Sequence, residues 1–503
     1  MLSESITRLS KRIVWISLLL TIYFTLFPFD FFFNKPFSPI EILRSFDLSV
    51  SSRYAVVDFP RNVAFFIPLG FGLAGWFAGK KVRKIWAYPL VVLIGTGLSF
   101  TAEVLQSYTL DRFPTFADVL ANGFGTAVGL VIFHLFGVQL LQYTARLLDR
   151  LRSFFTFKRA LPTYLLYILL WLFVANRIQT VVQLNNWDTS YPLLIGNEAS
   201  QDRPWSGTIQ QVQLYSRALP GEEVARLFDE DAASPQDDNA LVAFYDFTGD
   251  GQGNFPPLVW QRNGEGETAD DGIHVSQDQW LESQQPVTAI SQAVADSSQF
   301  TVEIVAASAG PDQTGPARIL SISQDPFLRN LTIGQEQTDL TLRFRTPLTG
   351  ENGRHPELII HDVFTDQNFH QIVITYDGRT VTFYMDNPAN PFTVELAPSL
   401  AIFTRLFPAE VDQLRISHSN TLVFRLVFDM LIFLPLALLA LIWSRSQPAK
   451  DKNKFILAAI GFIVVSLLWE FLLGRVISSY DVNVGNMLLD AAITAVGFLF
   501  LYK

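Results

Sequence analysis

"DVLANGFGTAVG", residues 118–129, opens an otherwise apolar run with Asp118, sets Asn122 four residues on, and follows with Gly123, Gly125 and Gly129. "NMLLDAAITAVG", residues 486–497, ends on the same letters near the other end of the chain, with Asn486 first and Asp490 four later. Polar side chains are costly in a bilayer. Where they occur they either join helices by hydrogen bonds or mark a site.

The runs around both stretches decide the fold class. The chain has 503 residues, 49% of them hydrophobic and 44 of them Phe, with no Cys. Apolar runs at about 13–33, 62–79, 86–104, 118–138, 161–176, 421–444, 455–473 and 484–502 predict eight membrane spans. Without Cys there is no disulfide, thiolate metal site or Cys nucleophile. Residues 177–420 carry 33 Asp and Glu, 13 Arg and no Lys, a balance of −20, whereas the rest of the chain balances at +10. That acidic segment argues against nucleic acid as a partner and makes the lipid bilayer the partner of the remainder.

The basic residues set an orientation. Arg8, Lys11 and Arg12 precede the first span; Lys80, Lys81, Arg83 and Lys84 follow the second. Arg146, Arg150, Arg152, Lys158 and Arg159 lie between spans four and five, and Arg445, Lys450, Lys452 and Lys454 between six and seven. All fall on one side if both termini are cytoplasmic. Residues 185–418 then lie outside a bacterial inner membrane, periplasmic or extracellular. The first run is too long for the apolar core of a cleaved signal peptide, and no A-x-A site follows it, so it reads as an anchor.

The chain also repeats itself. "RNVAFFIPLGFGLAGW" (61–76) is echoed by "FDMLIFLPLALLALIW" (428–443), and residues 101–129 by residues 468–497. Asn62 falls opposite Asp429, Glu103 opposite Glu470, Asp118 opposite Asn486, and Asn122 opposite Asp490. Each copy is a three-helix unit, and the two run in parallel about an axis along the membrane normal. Asn62, Glu103, Gln106, Arg112, Asp118 and Asn122 form a candidate polar site near the outer ends of the first copy. The same residues could instead brace helices: Asn and Gln join helices, Gly125 and Gly129 permit close packing, and Glu103 can pair with Arg112. The second copy has Leu473 in place of Gln106 and no clear counterpart of Arg112, which makes the first copy the better candidate.

"TLFPFDFF" (25–32), "NVAFFIPLG" (62–70) and the series Glu103, Gln106, Arg112, Asp118, Asn122 resemble the VanZ-like family over residues 10–138. The resemblance implies an integral membrane protein of bacteria, from a family named for a factor that lowers teicoplanin susceptibility. It carries no mechanism. Residues 421–503 are a weaker echo.

Between spans five and six, short alternating runs predict an antiparallel sandwich: "TVEIVAA" (301–307), "RILSIS" (318–323), "LTLRFRT" (340–346) and "HQIVITYDGRTVTFYMDN" (370–387), the last a hairpin turning at Asp377-Gly378. "LVAFYDFTGDG" (241–251), "FHQIVITYDGRTVTFYMDN" (369–387) and "LLIGNEASQDRPWSGTIQQVQLYSRALPGEEVARLF" (193–228) resemble the concanavalin A-like, or laminin-G-like, family. The last phrase resembles the family's closing strands yet comes first, so a circularly permuted jelly roll is expected. The resemblance implies binding of glycans, proteins or calcium, or hydrolysis of glucans. No E-x-D-x-x-E strand is present to supply the paired carboxylates of a glucanase. Asp229–Asp231, Asp237, Asp238, Glu265, Glu267, Asp270 and Asp271 are candidate calcium ligands but read first as solvated loops, and no cofactor is otherwise indicated. Trp187, Trp205, Trp260 and Trp280 read first as packing residues and second as sugar platforms.

The expected protein is therefore a polytopic α-helical membrane domain with an inserted all-β sandwich. Residues 1–140 hold spans one to four, 141–184 a cytoplasmic loop and span five, 185–418 the sandwich, and 419–503 spans six to eight. Its expected role is to display a glycan- or protein-binding module in the envelope. The alternatives are an enzyme or transporter acting on a lipid-linked glycan precursor, with Glu103 as acid or base, and a structural scaffold.

Overall fold

A helix occupies each apolar run. In the computed structural model the first five are α1 (Leu2–Leu26), α2 (Phe59–Gly79), α3 (Lys84–Gln106), α4 (Phe116–Phe154) and α5 (Phe157–Ile178). Residues 2–26, 40, 44, 46, 58–108, 114–154, 157–229, 238–248, 253–262, 268–269, 271–406, 415–416, 421–446, 452–477, 480 and 482–502 are described. The chain divides into two compact units, Met1–Ala160 with Ile442–Lys450, and Leu161–Leu441 with Asp451–Lys503.

In the first unit α1 packs on α2, and α2 packs on α4. The glycines of the opening stretch make the second contact. A Cβ on Gly125 would lie 2.2 Å from the Val63 carbonyl oxygen, and one on Gly129 would lie 2.1 Å from that of Ile67. From the other side, a Cβ on Gly70 would meet the Thr126 oxygen at 2.0 Å. Only glycine allows the two backbones to come this close. Helix α4 does not stop at the expected end of span four but runs on through "QLLQYTARLLDRLRSF" (139–154), a stretch of strong helix formers.

The second unit begins with α5 and continues into the sandwich. Its strands are β1 (Leu193–Ile195), β2 (Gly207–Tyr215), β3 (Leu241–Asp246), β4 (Leu258–Arg262), β5 (Thr268–Ala269), β6 (Gly272–Val275), β7 (Gln279–Ser283), β8 (Phe300–Ser308), β9 (Ala317–Ser323), β10 (Arg329–Glu336), β11 (Asp339–Phe344), β12 (Glu357–Ile360), β13 (Phe369–Tyr376), β14 (Thr380–Met385), β15 (Asn387–Glu395) and β16 (Arg415–Ile416). One sheet runs β16-β12-β11-β10-β9-β1-β7-β4 and the other β15-β14-β13-β8-β2-β6-β5, with β3 also on β2. The first two strands thus lie inside the two sheets with later strands on either side. The hairpin of β13 and β14 turns at Asp377 and Gly378, with Gly378 at φ +90° and the Asp377 Oδ1 accepting from the N–H groups of Arg379 (2.9 Å) and Thr380 (2.6 Å).

Short helices α6 (Gly221–Leu227), α7 (Thr288–Ser297) and α8 (Ala401–Leu406) accompany the sheets, and the unit ends in α9 (Thr421–Ser446), α10 (Lys452–Val476) and α11 (Val484–Tyr502). Helix α5 does more than connect. Tyr164, Ile168, Leu172 and Ala175 share a buried cluster with Phe428 and Ile432 of α9, Trp469 and Leu473 of α10, and Ile493 of α11. The Tyr167 hydroxyl donates to the Leu431 carbonyl at 2.8 Å. Among the described residues six segments are long and apolar enough to cross a membrane: Ile6–Leu26, Phe59–Gly79, Lys84–Gln106, Phe116–Leu147, Leu161–Val182 and Thr421–Leu439. The last two expected spans are the helices α10 and α11; neither is among the six, and the apolar stretch described in α11 is the shorter Val484–Val496.

Candidate functional sites

The Asp118 of the opening stretch belongs to the start of a helix. Thr115 stands just before α4, and its hydroxyl accepts the Asp118 N–H at 3.1 Å, which caps the helix. Asp118 is the acid of the first turn, where the helix dipole favours a negative charge. Its Oδ1 accepts a hydrogen bond from the Asn62 Nδ2 of α2. Glu103, 3% exposed on α3, accepts the Thr115 N–H at 2.8 Å and so fixes the capping residue. One turn deeper, the Asn122 Nδ2 donates to the Ser99 hydroxyl at 2.8 Å, and Thr126 donates to the Asn122 carbonyl at 2.9 Å. Gln106 donates to the Thr25 carbonyl of α1 at 2.6 Å. The predicted residues therefore fasten neighbouring helices in pairs. Arg112 lies outside the described residues.

In the carboxy-terminal helices Asp429, Glu470 and Asp490 converge instead on one cation. Arg425 of α9, 6% exposed, donates from Nε to Asp429 (3.0 Å), from Nη1 to the Tyr480 hydroxyl (2.9 Å), and from Nη2 to Glu470 of α10. Asp490 of α11 lies 3.8 Å from its Nη2, and Glu395, at the end of β15, 4.0 Å from its Nη1. The Tyr480 hydroxyl donates to Glu470 at 2.9 Å, and the Arg379 guanidinium lies 4.5 Å from the centre of the Tyr480 ring. Burial holds the Tyr480 hydroxyl well above its ordinary pKa, and it raises the Glu395 carboxyl against the opposing pull of Arg379 and Arg425. Asp429, Glu470 and Asp490 are all fully buried. Asn486 stands apart, half-buried at the start of α11, with its N–H on the Asn483 Oδ1 at 3.4 Å. The cation comes from within the helix itself: Arg425 stands one turn before Asp429. Its signal, Arg and Asp four residues apart, was visible in "RLVFD" (425–429).

A third place lies in the sandwich, and reading from motifs missed it. In the β9–β12 ladder, Leu320, Ile333 and Leu342 pair in register on the core face, while Thr341 pairs with Ile359 on the other. The β9–β10 register shifts between Ile333 and Gly334 and again between Arg329 and Leu331. Each irregularity re-aims the chain, so that Arg318 and Arg329 join Arg343 and Glu357 on the non-core face. There they line a cavity of about 390 Å³. Arg343 donates to Glu357 at 2.7 Å, and Arg318 to Glu198 at 3.3 Å and to the Pro316 carbonyl at 2.6 Å. Among the described residues the hydrogen-bond partners of Arg329 are neutral oxygens, the Thr332 hydroxyl at 3.2 Å and the Pro326 carbonyl. Burial lowers the pKa of Arg318 to about 10 and that of Arg329 to about 9, with the neighbouring guanidiniums acting in the same direction. Phe327, 74% exposed, stands at the mouth. The tryptophans are elsewhere. Trp187, Trp205 and Trp280 are buried, and Trp205 donates to the Gln335 side chain at 2.8 Å, so these three pack the core; Trp260 is half-buried on β4. Of the acidic runs, residues 230–237, 263–267 and 270 lie outside the described residues. Among the described residues no group of three or more His, Asp or Glu is arranged to hold a metal ion.

The fold and these sites define a class: a helical membrane protein carrying a two-sheet sandwich. Residues 14–137 match the VanZ/LLP1 family model, and residues 174–225 match that of the concanavalin A-like lectin/glucanases superfamily. The first match covers most of α1 through most of α4, and the second runs from the end of α5 through β1 and β2 into α6. Neither a curated protein nor a solved structure matches it.

Proposed function

We propose that the chain is an envelope protein of the bacterial inner membrane that displays a glycan-binding sandwich on the outer side. The observation that carries this reading is the cavity of about 390 Å³ on the polar face of the eight-stranded sheet, built from charged side chains that a purely structural face has no need to bury. The distribution of basic residues supports the outward orientation. In this reading the helices are anchor and frame, because Asn62, Glu103, Gln106 and Asp118 already have partners on neighbouring segments. The test is binding of the full chain, held in nanodiscs, to arrays of peptidoglycan fragments, exopolysaccharides and envelope proteins. Saturable glycan binding is expected. Binding to proteins alone, or to nothing, would overturn the reading.

A second reading draws on the carboxy-terminal ion cluster. Buried ionisable groups in spans commonly lie on transport or proton paths, and the Asp429 Oδ1 and both Asp490 carboxylate oxygens have no hydrogen-bond partner among the described residues. On this reading the helices act on a lipid-linked glycan precursor. Replacing Glu470 by Gln, or Glu103 by Gln, at matched protein levels would then change precursor pools; unchanged pools would exclude it.

A further inference from the structure

The cavity of the sandwich has a charge problem that its own residues do not solve. Three guanidiniums, those of Arg318, Arg329 and Arg343, are at most 8% exposed on its walls. Glu198 neutralises the first and Glu357 the third. Arg329 has no carboxylate partner among the described residues. The other acids of the wall are engaged elsewhere: Glu336 accepts the Gly315 N–H at 2.7 Å, and Asp339 accepts the Asp362 N–H at 3.1 Å beside His361 at 2.9 Å. Two buried donors, the Arg329 Nε and the Arg318 Nη2, have no hydrogen-bond partner among the described residues. A buried cation without a counter-charge is costly, and so is a buried donor without an acceptor. Here both deficits fall on one cavity wall. An anion in the cavity would bring the missing charge to this wall, since guanidinium groups hold carboxylates and phosphoryl groups through paired, charge-assisted bonds. The exposed Phe327 beside them offers a flat apolar surface of the kind that takes the face of a sugar ring. At the rim, the exposed Arg354 adds a further positive charge.

We infer that this cavity binds an anionic sugar residue, one bearing a carboxylate or phosphoryl group, and that Arg329 recognises the anion. The inference rests on the glycan-binding reading above and adds the class of ligand. A neutral sugar would leave Arg329 as it is. An acidic one supplies the missing charge, so affinity should separate the two and fall with salt.

The experiment measures binding of the full chain in nanodiscs to three polymers of matched length: oligogalacturonate, poly(glycerol phosphate) and neutral dextran. At least one acidic polymer is expected to bind ten-fold or more tightly than dextran, and which one binds identifies the anion. Arg329→Gln is expected to weaken that binding ten-fold or more. Two exposed positions guard against misfolding: Arg354→Gln should reduce the affinity several-fold and flatten its salt dependence, and Phe327→Ala should weaken it several-fold at unchanged salt dependence. Equal binding of acidic and neutral polymers, or acidic binding that all three variants retain in full, would overturn the inference while leaving the glycan-binding reading standing. Binding of no polymer would count against both.

Discussion

Helices α2–α4 and α9–α11 both carry buried polar residues, yet partner them by different means. In the amino-terminal set Asn62 meets Asp118, Glu103 meets the Thr115 N–H, and Asn122 meets Ser99. In the carboxy-terminal set Asp429, Glu470 and Asp490 share Arg425, and the sandwich adds Glu395 and Arg379. The first arrangement is a set of separable clasps. The second is a network in which removing one member strands the others. The contrast shows that aligned carboxylates can serve different ends, since Glu103 supports a helix cap and Glu470 belongs to an ion cluster.

The largest test of that contrast is Arg425→Met. It would leave three fully buried carboxyl groups without their cation and should cost ~3–5 kcal/mol of stability, measured as unfolding of the purified chain in detergent. Adding Asp490→Asn to that variant should recover part of the loss. A cost near that of an exposed pair would break the contrast. Next comes Gly129→Val, which drives a side chain into the Ile67 carbonyl and should cost at least ~1–3 kcal/mol, read as a lower yield of folded protein. Glu103→Leu leaves the Thr115 N–H without this acceptor and should cost ~1–3 kcal/mol, whereas Glu103→Gln keeps an acceptor there and should cost less. The smallest effect is expected for Asn122→Ala, about 0.6 kcal/mol, and it should add to that of Asn62→Ala if the clasps are separable.

How far the sequence revealed these features varied with their range. The apolar helices were legible because composition alone sets them, and the strands of the sandwich because alternation does. Close packing at Gly125 and Gly129 was legible from their four-residue spacing. The cap at Thr115 was also in plain view, since T-x-x-D before an apolar run is a helix-start signal; reading Asp118 as a residue within a span hid it. Arg425 was hidden by its apolar neighbours, although its spacing to Asp429 was visible. The meeting of Glu395, Arg379 and Tyr480 with Arg425 was not legible, because it depends on how distant segments pack. The cavity was least legible of all. Strict alternation places Arg318 on the same face as Leu320 and Ile322, inside the core, and only the register shift in the β9–β10 pair turns it to the other side.

On this proposal ligand chemistry belongs to the sandwich and framing to the amino-terminal helices. One comparison tests that division directly. Arg329→Gln, Glu103→Gln and Asn122→Ala are placed in the same full-length chain at matched levels, and acidic-glycan binding and lipid-linked precursor pools are measured for each. The predicted result is that Arg329→Gln alone weakens binding, ten-fold or more, and that neither helix substitution alters binding or pools. Changed precursor pools in the Glu103→Gln chain, with binding intact in the Arg329→Gln chain, would contradict the account.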